Sequence, residues 1–310
     1  MATDLRPPTS DDLNGTMAAM DGSQSTSWPQ QPKPTRNPIL TANLGWYQLY
    51  ANLFRGGQYI FNPPSGTRHP VNGEPLSSYL VQHQAEPAEE YNARVRDSFN
   101  LPYCREIVNI YTSTLFRQDV FRDPVSKIFG ANYLADIDMM GHSAREFLRR
   151  SFTLAQVYGW IGVLTDFPPA SDEYVSLYHE QQDERRPYSR IVLPTRLWDW
   201  QRDPVSGAFT YAAIWNGIEG KGNRCRRWFE DYWLDVDADG EIVAGAEHSF
   251  GRVPLDVLVC QDVESDDGFA PFGQSALADI ANIGLHLYQM CSLLERHQRL
   301  ALFAFLHIKA

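Results

Sequence analysis

QSALADIANIGLHLYQMCSLLERHQRL, residues 274–300, decides the architecture. Ala276, Ile280, Ile283, Leu287, Met290 and Leu294 step by four and three, and Leu277, Ala281, Leu285, Tyr288 and Cys291 form a second apolar arc. This is the period of an α-helix, and a helix apolar over most of its girth is expected to be buried on several sides. One polar stripe is left over: Ser275, Asp279, Asn282, His286, Gln289 and Arg296. In a solitary chain the pattern means a core helix. In a ring it means a helix wedged between neighbours, with one face towards the lumen. The apolar run ALFAFLHIKA at 301–310 follows, and the expectation is a protein that continues past it.

Before this helix the period changes. Ile191–Leu193, Leu197–Trp198, Phe209–Trp215, Arg227–Val236, Glu241–Ala244 and Val253–Cys260 are short β-type runs, separated by turn signals at Asp203–Gly207 and Asp239-Gly240. They predict one antiparallel meander over 190–260. Earlier still the pattern is helical. A first helix over 41–54 carries Leu44, Tyr47 and Tyr50/Ala51 and stops at Gly56-Gly57. A second starts near Pro87 with a face of Tyr91, Val95 and Phe99; a third covers about 103–117 with Ile107, Ile110/Tyr111, Thr114 and Leu115 inward. Ser143-Ala-Arg-Glu146 is a capping box, followed by Leu148, Phe152, Ala155 and Tyr158, with Gly159 as C-cap. Trp160–Asp166 then reads as a buried strand, and 171–185 as a charged helix. The reading is therefore an α+β chain with an N-terminal disordered arm (1–38), an α+β domain (39–270) and the start of a long helix (271–310).

Composition bounds the function. With 43% hydrophobic residues over 310 positions the chain can bury a core. A formal charge of −11 argues against a basic DNA-gripping module. Cys104, Cys225, Cys260 and Cys291 are scattered without a C-x-x-C, as in an intracellular protein with reduced thiols. The first residues, MATDLRPPTS, lack a secretory signal's basic and apolar regions, and no apolar run is long enough for a membrane span.

Motifs that might carry chemistry are weak. Gly141-His142-Ser143 imitates the front of a nucleophile elbow, but Arg145 stands where the second glycine belongs, and the capping box already explains Ser143. Asp235-Val-Asp-Ala-Asp239-Gly240 copies half of a calcium loop, with Ala246 where the bidentate glutamate should be, so a hairpin is the simpler reading. Gly217–Lys221 lacks the spacing and the Ser/Thr of a phosphate loop. The histidines are dispersed; His286 and His297 lie eleven positions apart on one helix. Arg224, Arg226 and Arg227 beside Trp228 and Phe229 suggest either a nucleic-acid contact or a solvated strand edge. No catalytic residue, metal ligand or cofactor site is expected.

The order of the parts is more informative. Tyr91-x-x-Arg94 precedes Leu115-Phe-Arg117; then come Tyr158-Gly-Trp-Ile-Gly-Val-Leu-Thr-Asp-Phe-Pro168, Arg186-Pro-Tyr188, Trp198-Asp-Trp200, Phe250-Gly-Arg-Val-Pro254, Ala278-Asp-Ile-Ala-Asn282 and His286-x-Tyr288. This order resembles the front part of a tailed-phage portal protein over roughly residues 44–310. The resemblance implies a wing domain followed by the first stem helix, with clip, second stem helix and crown absent from these 310 residues. It implies a structural subunit, not an enzyme, acting at a virion capsid vertex after assembly in the host cytoplasm. The subunits would form a self-associated ring, commonly a dodecamer. Its partners would be terminase, capsid and scaffold proteins, a head–tail adaptor and double-stranded DNA passing through the channel, with no membrane. On this reading Ser275, Asp279, Asn282, His286, Gln289 and Arg296 line the channel or flank a neighbouring subunit. The alternatives are an α/β-type hydrolase using Ser143 and another ring-forming head-completion protein.

Overall fold

Asn37 opens the first helix: its side chain accepts a hydrogen bond from the Ile39 N–H at 3.0 Å, and Pro38 supplies a first-turn residue that has no N–H to leave unpaired. The computed structural model describes residues 28, 31–118, 133–167, 186–216, 224–261 and 272–306. Helices are α1 (Pro38–Arg55), α2 (Gln58–Phe61), α3 (Ala88–Asp97), α4 (Tyr103–Leu115), α5 (Ala144–Tyr158) and α6 (Ala278–Leu306). Strands are β1 (Trp160–Asp166), β2 (Tyr188–Val192), β3 (Leu197–Arg202), β4 (Phe209–Trp215), β5 (Cys225–Trp228), β6 (Tyr232–Val236), β7 (Ile242–Glu247) and β8 (Leu255–Val259). The α+β reading and the long C-terminal helix hold. The expected helix at 171–185 and the Gly217–Lys221 run lie outside the described residues.

The expected single meander divides in two. β3-β4-β5-β6-β7 is an antiparallel meander, but β2 and β8 flank β1 in a separate antiparallel sheet, order β2-β1-β8. The reason is β1 itself: Trp160, Ile161, Gly162 and Leu164 are buried, so the strand needs a neighbour on each edge, and the chain returns to supply them. The expected strand at 227–236 is also two strands, turned at Phe229–Asp231. The Asp239-Gly240 hairpin forms as read, with Gly240 at φ +94° and the Asp237 carboxylate accepting from the amides of Asp239 and Glu241.

Phe272 joins the two sheets. Its ring lies 4.6 Å from that of Trp160 on β1, 5.1 Å from Trp200 on β3 and 5.9 Å from Phe209 on β4. Beside it, the end of α5 meets the entry to α6. Ala276 N–H donates to the Gln156 carbonyl at 3.0 Å, the Ser275 hydroxyl to the Val157 carbonyl at 2.6 Å, and Cys260 N–H to the Gly159 carbonyl at 2.8 Å. Carbonyls that a helix end leaves unpaired are thus satisfied by the chain entering the next helix and by the residue that follows β8. The crossing is backbone on backbone. A Cβ on Gly159 would lie 2.6 Å from Gly273 O and Ser275 N, and one on Gly273 would lie 2.3 Å from Val259 Cγ1. The capping box at the other end of α5 forms as read, Ser143 with Glu146.

Two helix faces differ from expectation. On α3 the helix ends at Asp97 and Phe99 is 49% exposed, while Arg94 is buried in its place. On α4 the buried residues are Cys104, Val108 and Thr112, and Ile110, Tyr111 and Leu115 are exposed. α4 turns its small side chains inward because its neighbours sit close. Thr112 Oγ1 accepts from Gln156 Nε2 at 3.1 Å, and Cys104 Sγ comes within 3.9 Å of where a Cβ on Gly284 would be.

The α5–α6 crossing predicts a steep dependence on Gly159. Gly159→Ala should lose on the order of 3–5 kcal/mol, because a positive φ and a backbone overlap coincide there. Gly207→Ala, at φ +69° but with open space around it, should lose only about 1 kcal/mol. Chemical unfolding of both variants checks the difference; equal losses would remove the crossing as a constraint.

Candidate functional site: the long helix and its free faces

α6 has 29 residues, about 43 Å at 1.5 Å per residue. One face is fixed to the body through Leu277, Ala281, Tyr288 and Ser292, all within 2% of full burial. The Tyr288 hydroxyl is 2.9 Å from Ser98 Oγ, and its ring lies 6.1 Å from that of Phe61.

A buried ion pair holds the middle of the helix. Arg94 Nε donates to Glu86 Oε1 at 2.9 Å and its NH2 to Oε2 at 2.8 Å, with both side chains 2% exposed. The same guanidinium donates to the Val81 carbonyl at 2.7 Å and to Ser292 Oγ on α6 at 3.1 Å. Arg296, also on α6, reaches Glu86 and Glu90, and Arg299 reaches Asp97 at 2.6 Å and Glu295 at 2.8 Å. The Arg94 hydrogen bonds outweigh burial and, with the His83 amide and the Arg94 and Arg296 charges, hold the Glu86 carboxyl down at about 2. A buried pair of this kind survives only when each partner is fully hydrogen-bonded, which is the arrangement here.

The expected polar stripe divides. Asp279, Asn282 and His286 are exposed on one side of α6, with Gln289 half-buried at its margin. Ser275 does not share that surface: it is 6% exposed and belongs to the α5–α6 joint. Arg296 is drawn to the α3 side by its two glutamates. Asp279 also acts on its surroundings: burial first, and the Asp279 charge second, push the Tyr50 phenol up to about 12.

The helix is not buried on several sides within one chain. Ile283, Met290 and Leu294 are 67%, 68% and 59% exposed, and with half-buried Leu287 they form a continuous i, i+4, i+7, i+11 stripe. α6 thus presents one face to the body, an apolar stripe and a polar stripe. The polar stripe carries no Lys or Arg, and the two arginines of the final turns are neutralised by acids of α3, of the 86 position and of α6 itself.

Other sequence-marked residues have structural roles. Ser143 Oγ donates to Glu146 Oε2 at 2.8 Å and accepts from Glu146 N–H, while His142 Nδ1 lies 2.8 Å from Asp138 Oδ2. The arginine run is not a solvated edge, since β5 is the central strand of five. Arg226 makes a two-bond pair with Asp235 at 2.8 Å and lies 3.9 Å over the Trp233 ring; Arg227 and Trp228 are 3% and 0% exposed. Sequence reading missed the Glu86–Arg94 pair. The sequence marks Arg94 only through the Tyr91-x-x-Arg94 block and its place one residue from the apolar face of α3, and nothing local points to Glu86 as its partner.

No helix among the described residues is long and apolar enough to cross a membrane. A scan against protein-family models finds no match, and a search of curated proteins finds no significantly similar sequence.

The Glu86 carboxyl sets an acid limit. Its folded value lies below the ordinary 4.5, so its stabilisation is complete above about 4.5 and is lost as pH falls towards about 2. Glu86→Gln should cost about 3–5 kcal/mol at neutral pH, because Arg94 is left buried without its counter-charge. It should also flatten the stability profile between pH 4.5 and 2. Urea unfolding across that range checks both; a variant with the wild-type slope would show that other carboxylates set the acid limit.

Proposed function

We propose that this chain is a structural subunit of a ring, of the kind tailed phages use as a portal at the capsid vertex. In this reading α6 is a stem helix, residues 39–270 are the wing, and double-stranded DNA passes through the axial channel. Terminase, capsid and scaffold proteins and a head–tail adaptor are the proposed partners.

The observation that carries the reading is the division of α6 into three faces. A stem helix needs one face for its own subunit, a second for its neighbours and a third for the channel. Ile283, Leu287, Met290 and Leu294 suit the neighbour contact, because large apolar side chains in a continuous exposed stripe mark an interface. Asp279, Asn282 and His286 suit the lumen. A wall without free cations does not hold phosphates by ion pairing, so DNA can slide past it. The pairing of Arg296 and Arg299 with acids keeps their charge away from that wall. The hydrolase alternative gains no support from Ser143, whose hydroxyl is taken up in the helix cap.

Met290→Glu with Leu294→Glu should abolish assembly and leave the single subunit folded, with a stability change within about 0.5 kcal/mol, since both positions are exposed. Asp279→Asn should leave assembly intact. Sedimentation velocity and negative-stain electron microscopy read both effects. A wild-type chain that stays monomeric at high concentration, or rings indifferent to the two glutamates, would sink the reading.

A further inference from the structure

α5 carries its cations on the side away from the core. Ala144, Phe147, Ser151, Ala155 and Tyr158 belong to its buried face. Glu146, Arg150, Thr153 and Leu154 follow at i, i+4, i+7 and i+8, so they share another face, with Arg149 beside them. That face and Phe54, at the end of α1, line an open groove of about 400 Å³. The floor is apolar: Phe54 and Leu154 are half-buried and pack against the core. Thr153 does not add a free hydroxyl, since its Oγ1 donates to the Arg149 carbonyl at 2.9 Å. The rim is cationic, because Arg149 and Arg150 are exposed.

The guanidinium groups of this rim are free. Arg94, Arg186, Arg226, Arg296 and Arg299 all meet carboxylates. Arg149 and Arg150 make no side-chain hydrogen bond or ion pair with any described residue. The one carboxylate in the lining, that of Glu146, is engaged: its Oε2 accepts from the Ser143 amide and hydroxyl, each at 2.8 Å. Further cations stand at the Phe54 end. Arg105 donates through Nε to the Phe54 carbonyl at 2.9 Å, and the exposed Arg55 lies 5.1 Å over the Tyr59 ring. A chain of net charge −11 thus gathers positive charge beside accessible apolar side chains.

We propose that this groove docks an acidic segment of a partner protein, with a large apolar side chain set against Phe54 and Leu154 and carboxylates paired with Arg149 and Arg150. Both halves of that chemistry are needed. Carboxylate–guanidinium pairs give orientation and speed of encounter, and apolar burial supplies affinity that exposed ion pairs alone do not. A nucleic acid fits less well: only two cations line the groove, Glu146 lies beside them, and a phosphate backbone makes no use of an apolar floor. The groove lies on α1 and α5, so the inference does not depend on how α6 assembles.

The test uses the full chain and two fluorescein-labelled peptides, EDELFEDE and EDESSEDE, followed by anisotropy at low salt. The first should bind saturably and about fivefold or more tighter than the second, the difference coming from its apolar side chains. Arg149→Ala with Arg150→Ala should weaken its binding about tenfold. Both side chains are exposed, so the double variant keeps the fold, and its thermal unfolding should match that of the wild type. Added salt should weaken binding to the wild type as well. No saturable binding of EDELFEDE, equal binding of the two peptides, or indifference to the double substitution would overturn the groove. A short DNA duplex that binds tighter than EDELFEDE, and is released by the same double substitution, would overturn the protein segment as its occupant.

Discussion

The place where α5 ends and α6 begins constrains everything after it. Two helix termini cannot both be buried unless their unpaired backbone groups find partners. Here Gln156, Val157 and Gly159 give their carbonyls to Ala276, Ser275 and Cys260, and the approach is so close that both crossing residues, Gly159 and Gly273, must lack a Cβ. This joint aims α6 along the body. Phe272, one residue before it, ties the same point to both sheets. Ser275 therefore has a role different from that of the stripe residues it resembles by spacing. It is the hydroxyl that closes α5, and it could not face a channel without opening the joint.

Direction alone does not set the rotation of a helix about its own axis. In α6 polar contacts do this, since apolar residues lie on both its buried face and an exposed one. Arg94 fixes the rotation by reaching Ser292, Arg296 adds Glu86 and Glu90, and Tyr288 meets Ser98. A buried ion pair stabilises little relative to a well-packed apolar alternative, but it penalises a wrong rotation by the full cost of an unpaired charge. Glu86 and Arg94 thus decide which side of α6 is left outward.

The legible parts of the fold were those written in local chemistry. The α5 cap at Ser143–Glu146, the stop at Gly159 and the Asp239-Gly240 hairpin each depend on a few adjacent residues, and each forms as read. Sheet membership was not legible, because β1's need for two partners is met by β2 and β8, and strand pattern records burial but not pairing. The α4 face was misread for a related reason. Ile107, Ile110, Tyr111 and Leu115 are bulkier than Cys104, Val108 and Thr112 and mark the larger apolar face, yet the neighbouring backbones are near enough that small side chains fit and large ones do not. Of the candidate stripe, the exposed run Asp279, Asn282 and His286 was legible from period alone. Ser275 and Arg296 were not, because their partners lie far away in sequence, up to 210 residues for Arg296 and Glu86.

Those misread faces bear on whether the chain acts alone. Single exposed apolar residues are normal on a protein surface, and Val205 at a hairpin turn is one. Ile283, Met290 and Leu294 are different, since they keep helical register and are 59–68% exposed on a helix whose rotation is fixed by buried polar contacts. The helix cannot roll to hide them without unpairing Arg94 from Ser292 and Arg296 from its glutamates. On α4, Ile110, Tyr111 and Leu115 are similarly held outward by Thr112 and Cys104 facing inward. Specific polar contacts thus keep large apolar side chains outside on both helices, and the ring proposed above would use those faces.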